Sequence, residues 1–233
     1  MSNLINTSEY LSDFLRYLAK KANCGNERLP SLSVLSRELG ISVASLREQL
    51  EIARVLGFVE IRPKTGIKWL PYNFANSILV SSAYAIEISN QYFDQYRDLR
   101  NHLEAVYFYE AVSLLRKNDI DKLYVIIKSA EAKITSNPPR TPHIEHRDWH
   151  LLLFSHIENV FVNGILSVFW DIYENQGYAV VNDMVYLSNV WFYHRKITEQ
   201  IALKNYSEAF QTFLDHKELI KSSPKPSPIH KFE

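Results

Sequence analysis

A mainly α-helical chain in two parts is what the sequence predicts: a front module of short elements, then a bundle of long antiparallel helices. Three observations carry that expectation. Of the six glycines, four (Gly25, Gly40, Gly57 and Gly66) fall within the first 66 residues, so tight turns concentrate at the front. Beyond about residue 74, apolar residues recur at helical spacing, as in Leu99, Leu103, Val106 and Tyr107, then Ala111, Leu114 and Leu115, with no alternating pattern long enough for a strand. Hydrophobic residues make up 46% of the 233, enough for a buried core and too many for general disorder. Pro71 and the stretch 72–76 mark a boundary, giving a front module over 1–72, a helical module over 73–222 and a loose, proline-bearing tail over 223–233.

The front module begins with an amphipathic helix over 9–21, with Tyr10, Phe14, Tyr17 and Leu18 on one face. After Leu29-Pro30, Ser31 is a good N-cap for a second helix whose apolar stripe is Leu32, Leu35 and Leu39, and Gly40 ends it. Ser42 caps a third helix over 43–56 with Leu46, Leu50 and Ala53 turned inward. A small residue at Ser36, a glycine four later and an apolar residue six beyond that is the spacing of a helix-turn-helix. The small side chain permits close helix crossing, the glycine accepts the turn, and Leu46 locks one helix onto the other. Two short segments, Phe58 to Arg62 and Ile67 to Leu70, flank a Pro/Gly turn and predict a basic β-hairpin, the wing of a winged helix. A helix about 10–12 Å across fits a major groove about 12 Å wide, and a basic ribbon reaches neighbouring phosphates. Ser31, Ser42, Ser45 and Arg47 are therefore candidate DNA contacts of the helices, and Arg62, Lys64 and Lys68 of the wing. Each of these basic residues taken singly is more often a solvated charge, and the same fold also serves as a protein-interaction module.

About six helices are expected after residue 74, with breaks at Lys117-Asn118-Asp119, Ser136 to Pro139, Asn175-Gln176-Gly177 and Lys204-Asn205. Seven of the chain's eight histidines lie there, at His102, His143, His146, His150, His156, His194 and His216. A lone helical histidine is usually structural. His146 and His150, however, are i and i+4 on one helix and share a face. His194 and His216 stand eleven residues on either side of Asn205, at one height if the two helices form an antiparallel hairpin. Imidazole suits a divalent transition metal such as zinc, nickel, copper or iron, and four nitrogens around one point suit zinc best.

Formal charges cancel at 26 against 26, which excludes a uniformly basic nucleic-acid-coating protein. Residues 1–72 nonetheless hold ten Lys/Arg against seven Asp/Glu, so the front is mildly basic and the rear mildly acidic. A single cysteine, Cys24, forbids an intramolecular disulfide, no apolar run reaches the ~18–20 residues of a membrane span, and the first residues are too polar for a signal peptide. A soluble cytoplasmic protein is the expectation.

Two segments resemble known families. Leu29-Pro30-Ser31, Ser45-Leu46-Arg47-Glu48-Gln49-Leu50 and Leu56-Gly57-Phe58-Val59 are similar to the winged helix of GntR-superfamily regulators, over about residues 10–70. That family usually has arginines where this chain has Ser33 and Val43, and Arg47 is the operator-contacting arginine that matches. Leu99-Arg100-Asn101-His102-Leu103-Glu104, His146-Arg147-Asp148-Trp149-His150 with Asn159, and His194-Arg195-Lys196-Ile197 with Ala202, Ala209 and His216 resemble the FCD ligand-binding domain of FadR-type GntR regulators. The resemblance implies a six- or seven-helix bundle that holds a metal by one Asp and three His and binds small carboxylates in the same cavity. It also implies a homodimer and a double-stranded DNA operator, released on effector binding, with repression the commoner mode. The family's Asp falls on His146. Either His146 coordinates, giving a set of His146, His150, His194 and His216, or the site is altered; Asp148 lies about 200° around the helix, which favours His146. Arg100 matches an effector-cavity position and can pair with a carboxylate, or equally form a salt bridge to Glu104 on its own helix.

The function expected is a DNA-binding transcriptional regulator rather than an enzyme. Two alternatives stay open: a metal- or partner-sensing protein whose winged helix is degenerate, motivated by Ser33 and Val43, and a metal-dependent hydrolase. Four protein ligands close a tetrahedral site and no His-Glu-x-x-His arrangement supplies a base, which weighs against the hydrolase. Glu145 and Asp148 are the nearby carboxylates. Phe154, Trp170 and Tyr186 are expected in the core rather than at a ligand.

Overall fold

The computed structural model describes residues 7–22, 28–63, 66–175 and 183–221. The chain divides into two compact units, Met1–Val80 and Ser81–Glu233. Among the described residues the front unit is a winged helix and the rear unit is all-helical.

In the front unit a 3-10 turn over Thr7–Tyr10 precedes α1 (Asp13–Lys21). The helix does not run from residue 9 as the apolar spacing suggests. Ser12 adopts extended backbone and its hydroxyl accepts from the Leu15 N–H, so it caps α1 and cuts Tyr10 off from the buried face; Tyr10 is 75% exposed. α2 (Leu32–Leu39) and α3 (Val43–Val55) form the helix-turn-helix. Gly40 takes the left-handed backbone (φ 67°) that ends α2, and the Ser36 hydroxyl donates to the Ile41 carbonyl at 2.6 Å, pinning the turn. β1 (Val59–Arg62) and β2 (Gly66–Trp69) pair antiparallel, with Val59 opposite Trp69 and Ile61 opposite Ile67. Arg28 adds an isolated bridge to Lys68, and the Leu29 N–H donates to the Ile67 carbonyl, so the Leu-Pro-Ser segment is tied to the hairpin. Phe14, Leu18, Leu35, Leu46, Leu50, Ala53, Val59 and Ile67 make the core of this unit. Gln49 is structural: its side-chain oxygen accepts from the Phe14 N–H at 2.9 Å and its amide donates to the Ser45 hydroxyl at 3.2 Å.

α4 (Phe74–Ile88) contains the division between the units. The rear unit continues with α5 (Gln91–Leu114), α6 (Lys117–Ile134), α7 (His143–Leu153), α8 (Val160–Asn175), α9 (Met184–Ala202) and α10 (Tyr206–Lys221). Seven helices thus follow residue 73 among the described residues. Two breaks fall where none was expected from the sequence. At Ser89-Asn90 the chain makes one turn between α4 and α5, and at 154–159 Asn159 starts α8 by accepting the Phe161 and Val162 N–H groups on its side-chain oxygen. The break before α6 lies at Arg116 rather than after it, because Asp119 accepts from the Arg116 N–H and serves the first turn of the helix. α9 and α10 form an antiparallel hairpin through residues 203–205, where Lys204 takes a left-handed conformation (φ 61°). α6 packs on α7 and α9, and α5 on α8 and α10. The core runs from Phe108 and Val112 on α5 through Leu123 and Ile127 on α6 and Trp149 on α7 to Trp191 and Ile197 on α9 and Phe213 on α10. No described helix is long and apolar enough to cross a membrane.

Candidate functional site

Helical periodicity builds the rear site. One face of α7 turns His146 and His150 inward, with ring centroids 5.1 Å apart. The α9–α10 hairpin brings His194 and His216 to the same height, 4.4 Å apart. All four rings converge: His146 is 5.0 Å from His194, and His150 is 5.2 Å from His194 and 6.0 Å from His216. One ring nitrogen from each lies within 4.8 Å of the other three. His150, His194 and His216 are buried, and although His146 is only half-buried as a residue, its Nε2 is shielded from solvent.

Three tryptophans wall the cluster. Trp149 lies 4.3 Å from His194, Trp170 4.8 Å from His146, and Trp191 4.8 Å from His194. Trp170, expected to be plain core, therefore borders the imidazoles. Tyr186 lines a small pocket beyond His146, together with Thr141, His143, Tyr173 and Trp191. Phe154 is core as expected. Of the other histidines, His102 is exposed on α5 and His156 bonds to Asp119 at 2.8 Å, so neither belongs to the cluster.

Burial in an apolar, tryptophan-lined site disfavours imidazolium. It holds His146, His150 and His194 well below the usual histidine range and His216 at about 3, with the Arg100 charge adding to the effect at His146, His150 and His216 and the neighbouring rings adding to it at His146, His150 and His194. Neutral imidazole is the form that donates a lone pair to a metal.

The hydrogen bonds assign the tautomers. His194 Nδ1 lies 2.8 Å from the Val190 carbonyl, which only accepts, so Nδ1 carries the proton and Nε2 offers its lone pair inward. His150 Nδ1 lies 2.8 Å from Arg100 Nη2, which only donates, so the His150 proton sits on Nε2 and points to His194 Nε2 at 3.3 Å. His146 Nε2 and both ring nitrogens of His216 have no hydrogen-bond partner although buried. Such orphaned buried nitrogens cost free energy unless a partner takes up the lone pair of an unprotonated one or the N–H of a protonated one.

Those observations test whether the residues fit a metal. Four neutral nitrogen donors around one point match a tetrahedral zinc donor set. The 3.3 Å between His150 Nε2 and His194 Nε2 equals the edge of such a tetrahedron, about 3.3–3.4 Å for bonds of about 2.0–2.1 Å. The widest separation, 4.8 Å, requires the remaining rings to close in. The residues fit.

Arg100 and Glu104 complete the site from α5. Both are fully buried, and Arg100 Nη2 lies 2.8 Å from Glu104 Oε1. The guanidinium also stacks 5.0 Å from the rings of Phe169 and Trp170. Arg100 thus makes the salt bridge anticipated from its i, i+4 spacing and faces the imidazoles as well. The inward face of α5 is Arg100, Glu104 and Phe108 at i, i+4 spacing, not the Leu99 and Val106 face that the apolar spacing marked, which is exposed, and nothing local signalled Trp170 on α8. Glu145 is spent on Ser129 and Lys133 at 2.9 and 2.8 Å, and Asp148 is exposed on the far side of α7, so neither carboxylate faces the imidazoles.

In the front unit, Arg47 is exposed on α3. Ser42 is the N-cap of α3, accepting from the Ser45 N–H at 3.1 Å, and the Ser45 hydroxyl accepts from Gln49. Ser31 stands at the N-cap of α2, but its hydroxyl makes no capping bond and lies 3.0 Å from that of Ser33, so its expected cap is not made. Arg62 pairs with Glu60 at 2.9 Å on the exposed hairpin, and Lys68 lies on β2 opposite Glu60. Lys64 lies outside the described residues.

The front unit is thus a winged helix, and the rear unit a set of helices around a buried imidazole cluster. Residues 95–218, more than half of the chain, match the FCD domain. The chain belongs to the FCD-domain family and is a FadR-like GntR regulator. Its fold is similar to that of a Streptococcus agalactiae GntR protein, at a TM-score of 0.64 and 15% identity over 94% of this chain and 100% of that one. Escherichia coli McbR/YncC aligns over 91% of this chain and 96% of its own, at 14% identity and a TM-score of 0.49, too low to bear on the fold. No curated protein matches the chain in sequence.

Proposed function

We propose that this regulator is a homodimeric, cytoplasmic DNA-binding protein, a repressor, whose grip on its operator is set by a small carboxylate bound beside a metal in the helical unit. Residues 1–72 form the DNA-binding domain, 73–222 the sensing and dimerising domain, and 223–233 a flexible tail. The observation that carries the reading is the convergence of His146, His150, His194 and His216 on one buried point. These four would hold a divalent transition metal, zinc first and nickel second. Four neutral imidazoles leave the ion's charge uncompensated, and Arg100 is already paired with Glu104, so a carboxylate ligand supplies the missing negative charge. Arg100 is the residue to receive the carboxylate by a bidentate pair.

On the DNA side, Arg47 with Ser42, Ser45 and Ser31 would face the major groove and Arg62, Lys64 and Lys68 the flanking phosphates. The dimer is supported by the outer face of α5. There Tyr92, Leu99, Val106 and Tyr109 are exposed at spacings of seven, seven and three. An antiparallel pair of α5 helices about a two-fold axis between His102 and Leu103 sets Leu99 against Val106 of the second copy and the Gln95 amide against the Glu110 carboxylate. An effector acts only by binding the DNA-competent and DNA-incompetent states unequally.

The test is fluorescence anisotropy with DNA from the gene's own promoter region, titrated with zinc-loaded protein and a panel of small mono- and dicarboxylates. Salt-dependent, sequence-selective binding that one carboxylate relieves is the expected result. Binding with no sequence preference would favour the degenerate-head reading instead.

A further inference from the structure

Resting on the metal reading above, we propose that Glu104 is the positioning carboxylate of this centre and that Arg100 is a built-in placeholder, surrendered by His150 when the centre fills. In the structure Arg100 Nη2 is shared: it lies 2.8 Å from Glu104 Oε1 and 2.8 Å from His150 Nδ1. Because a guanidinium only donates, His150 Nδ1 accepts, and the ring's proton stays on Nε2, the nitrogen that faces His194. In that tautomer His150 has no inward lone pair to give.

To offer Nε2 to an ion, neutral His150 must carry its proton on Nδ1 instead. The ring stays neutral throughout: one N–H bond breaks at Nε2, another forms at Nδ1, and no proton is gained or lost overall. The acceptor for the relocated proton is already in place, since Glu104 Oε1 lies 3.2 Å from Nδ1. Neither Glu104 oxygen has a well-aligned donor among the described residues, so the carboxylate is short of the bond that Nδ1–H supplies. An imidazole oriented through its far nitrogen by a carboxylate is the usual arrangement around a ligating histidine. Once Nδ1 carries a proton, two donors oppose each other across 2.8 Å, and the guanidinium must withdraw from His150. It then has free N–H groups for an anion. The consequence is ordered loading: the imidazole centre first, the carboxylate second.

Nitrogen-15 NMR of the full chain reads the tautomer directly. With chelator, the His150 ring is expected to show the Nε2–H form, and one equivalent of zinc should convert it to the Nδ1–H form. Two variants extend the test without relying on one surviving fold. Glu104→Gln should weaken zinc about 10–100-fold in chelator competition. The charge-neutral double variant Arg100→Met with Glu104→Gln, which leaves no unpaired buried charge, should show zinc binding with His150 tautomers mixed. Zinc uptake by the wild type with His150 still protonated at Nε2 would overturn the proposal alone. Absence of any zinc uptake by the wild type would overturn the metal reading and this proposal together.

Discussion

His150 Nε2 and His194 Nε2 stand 3.3 Å apart in a buried site, and the hydrogen bonds made by their other nitrogens say which of the two holds the proton. Val190 fixes His194 and Arg100 fixes His150. Two separate backbone-to-ring and ring-to-cation contacts therefore agree on one proton arrangement, with every ring neutral.

Neutrality has a pH consequence for the metal-free protein. The buried histidines titrate lower when folded than when unfolded, so below about 6.5 the unfolded chain binds more protons than the folded one. Stability is fully present above that value and is lost as pH falls toward about 3, the value for His216. Each ring that stays neutral costs on the order of 1 kcal/mol per pH unit in that window. Urea denaturation in chelator between pH 8 and pH 5 should show a falling midpoint, and a flat profile would contradict the buried neutral cluster.

Gly57 sits at φ 75°, and a Cβ there would lie 1.8 Å from the Asn76 amide nitrogen and 2.9 Å from its Cβ. Gly57→Ala combines left-handed strain with a clash that a rotamer change does not fully relieve. It should destabilise the front unit by about 1–3 kcal/mol in thermal unfolding. An unchanged melting temperature would contradict the close approach.

Arg47→Ala should weaken specific operator binding by about 1–3 kcal/mol while leaving the melting temperature unchanged, because Arg47 is exposed and makes no core contact. Anisotropy at two salt concentrations separates its share of base recognition from simple charge. Equal affinity for wild type and variant would remove Arg47 from the interface.

Val106 is 78% exposed at the centre of the outer α5 face. Val106→Glu sets a carboxylate against Leu99 of the second copy on each side of a self-paired α5 and should shift the mass in light scattering from two chains to one. A dimer of undiminished stability would exclude this face.

Much of this was legible before any coordinates. Ser36, Gly40 and Leu46 mark the helix-turn-helix because steric and backbone demands at a tight helix crossing are local. The histidine pairs were legible because one lies at i, i+4 and the other straddles a turn, so periodicity alone aligns them. Ser12 was missed because a capping hydroxyl two residues after Tyr10 overrode an apolar pattern that ran through it. Trp170 was missed because its approach to His146 depends on how α8 packs against α7, a tertiary relation that no spacing encodes. The same holds for Glu104, whose proximity to His150 crosses 46 positions of chain.

The most direct measurement is metal content by elemental analysis, on wild type and His194→Ala purified without chelator or nickel resin, with thermal melts of both. One divalent ion per wild-type chain is expected, with ion and melting temperature falling together in the variant. Wild-type protein empty of metal, or a variant that retains the full complement, would contradict the four-imidazole centre.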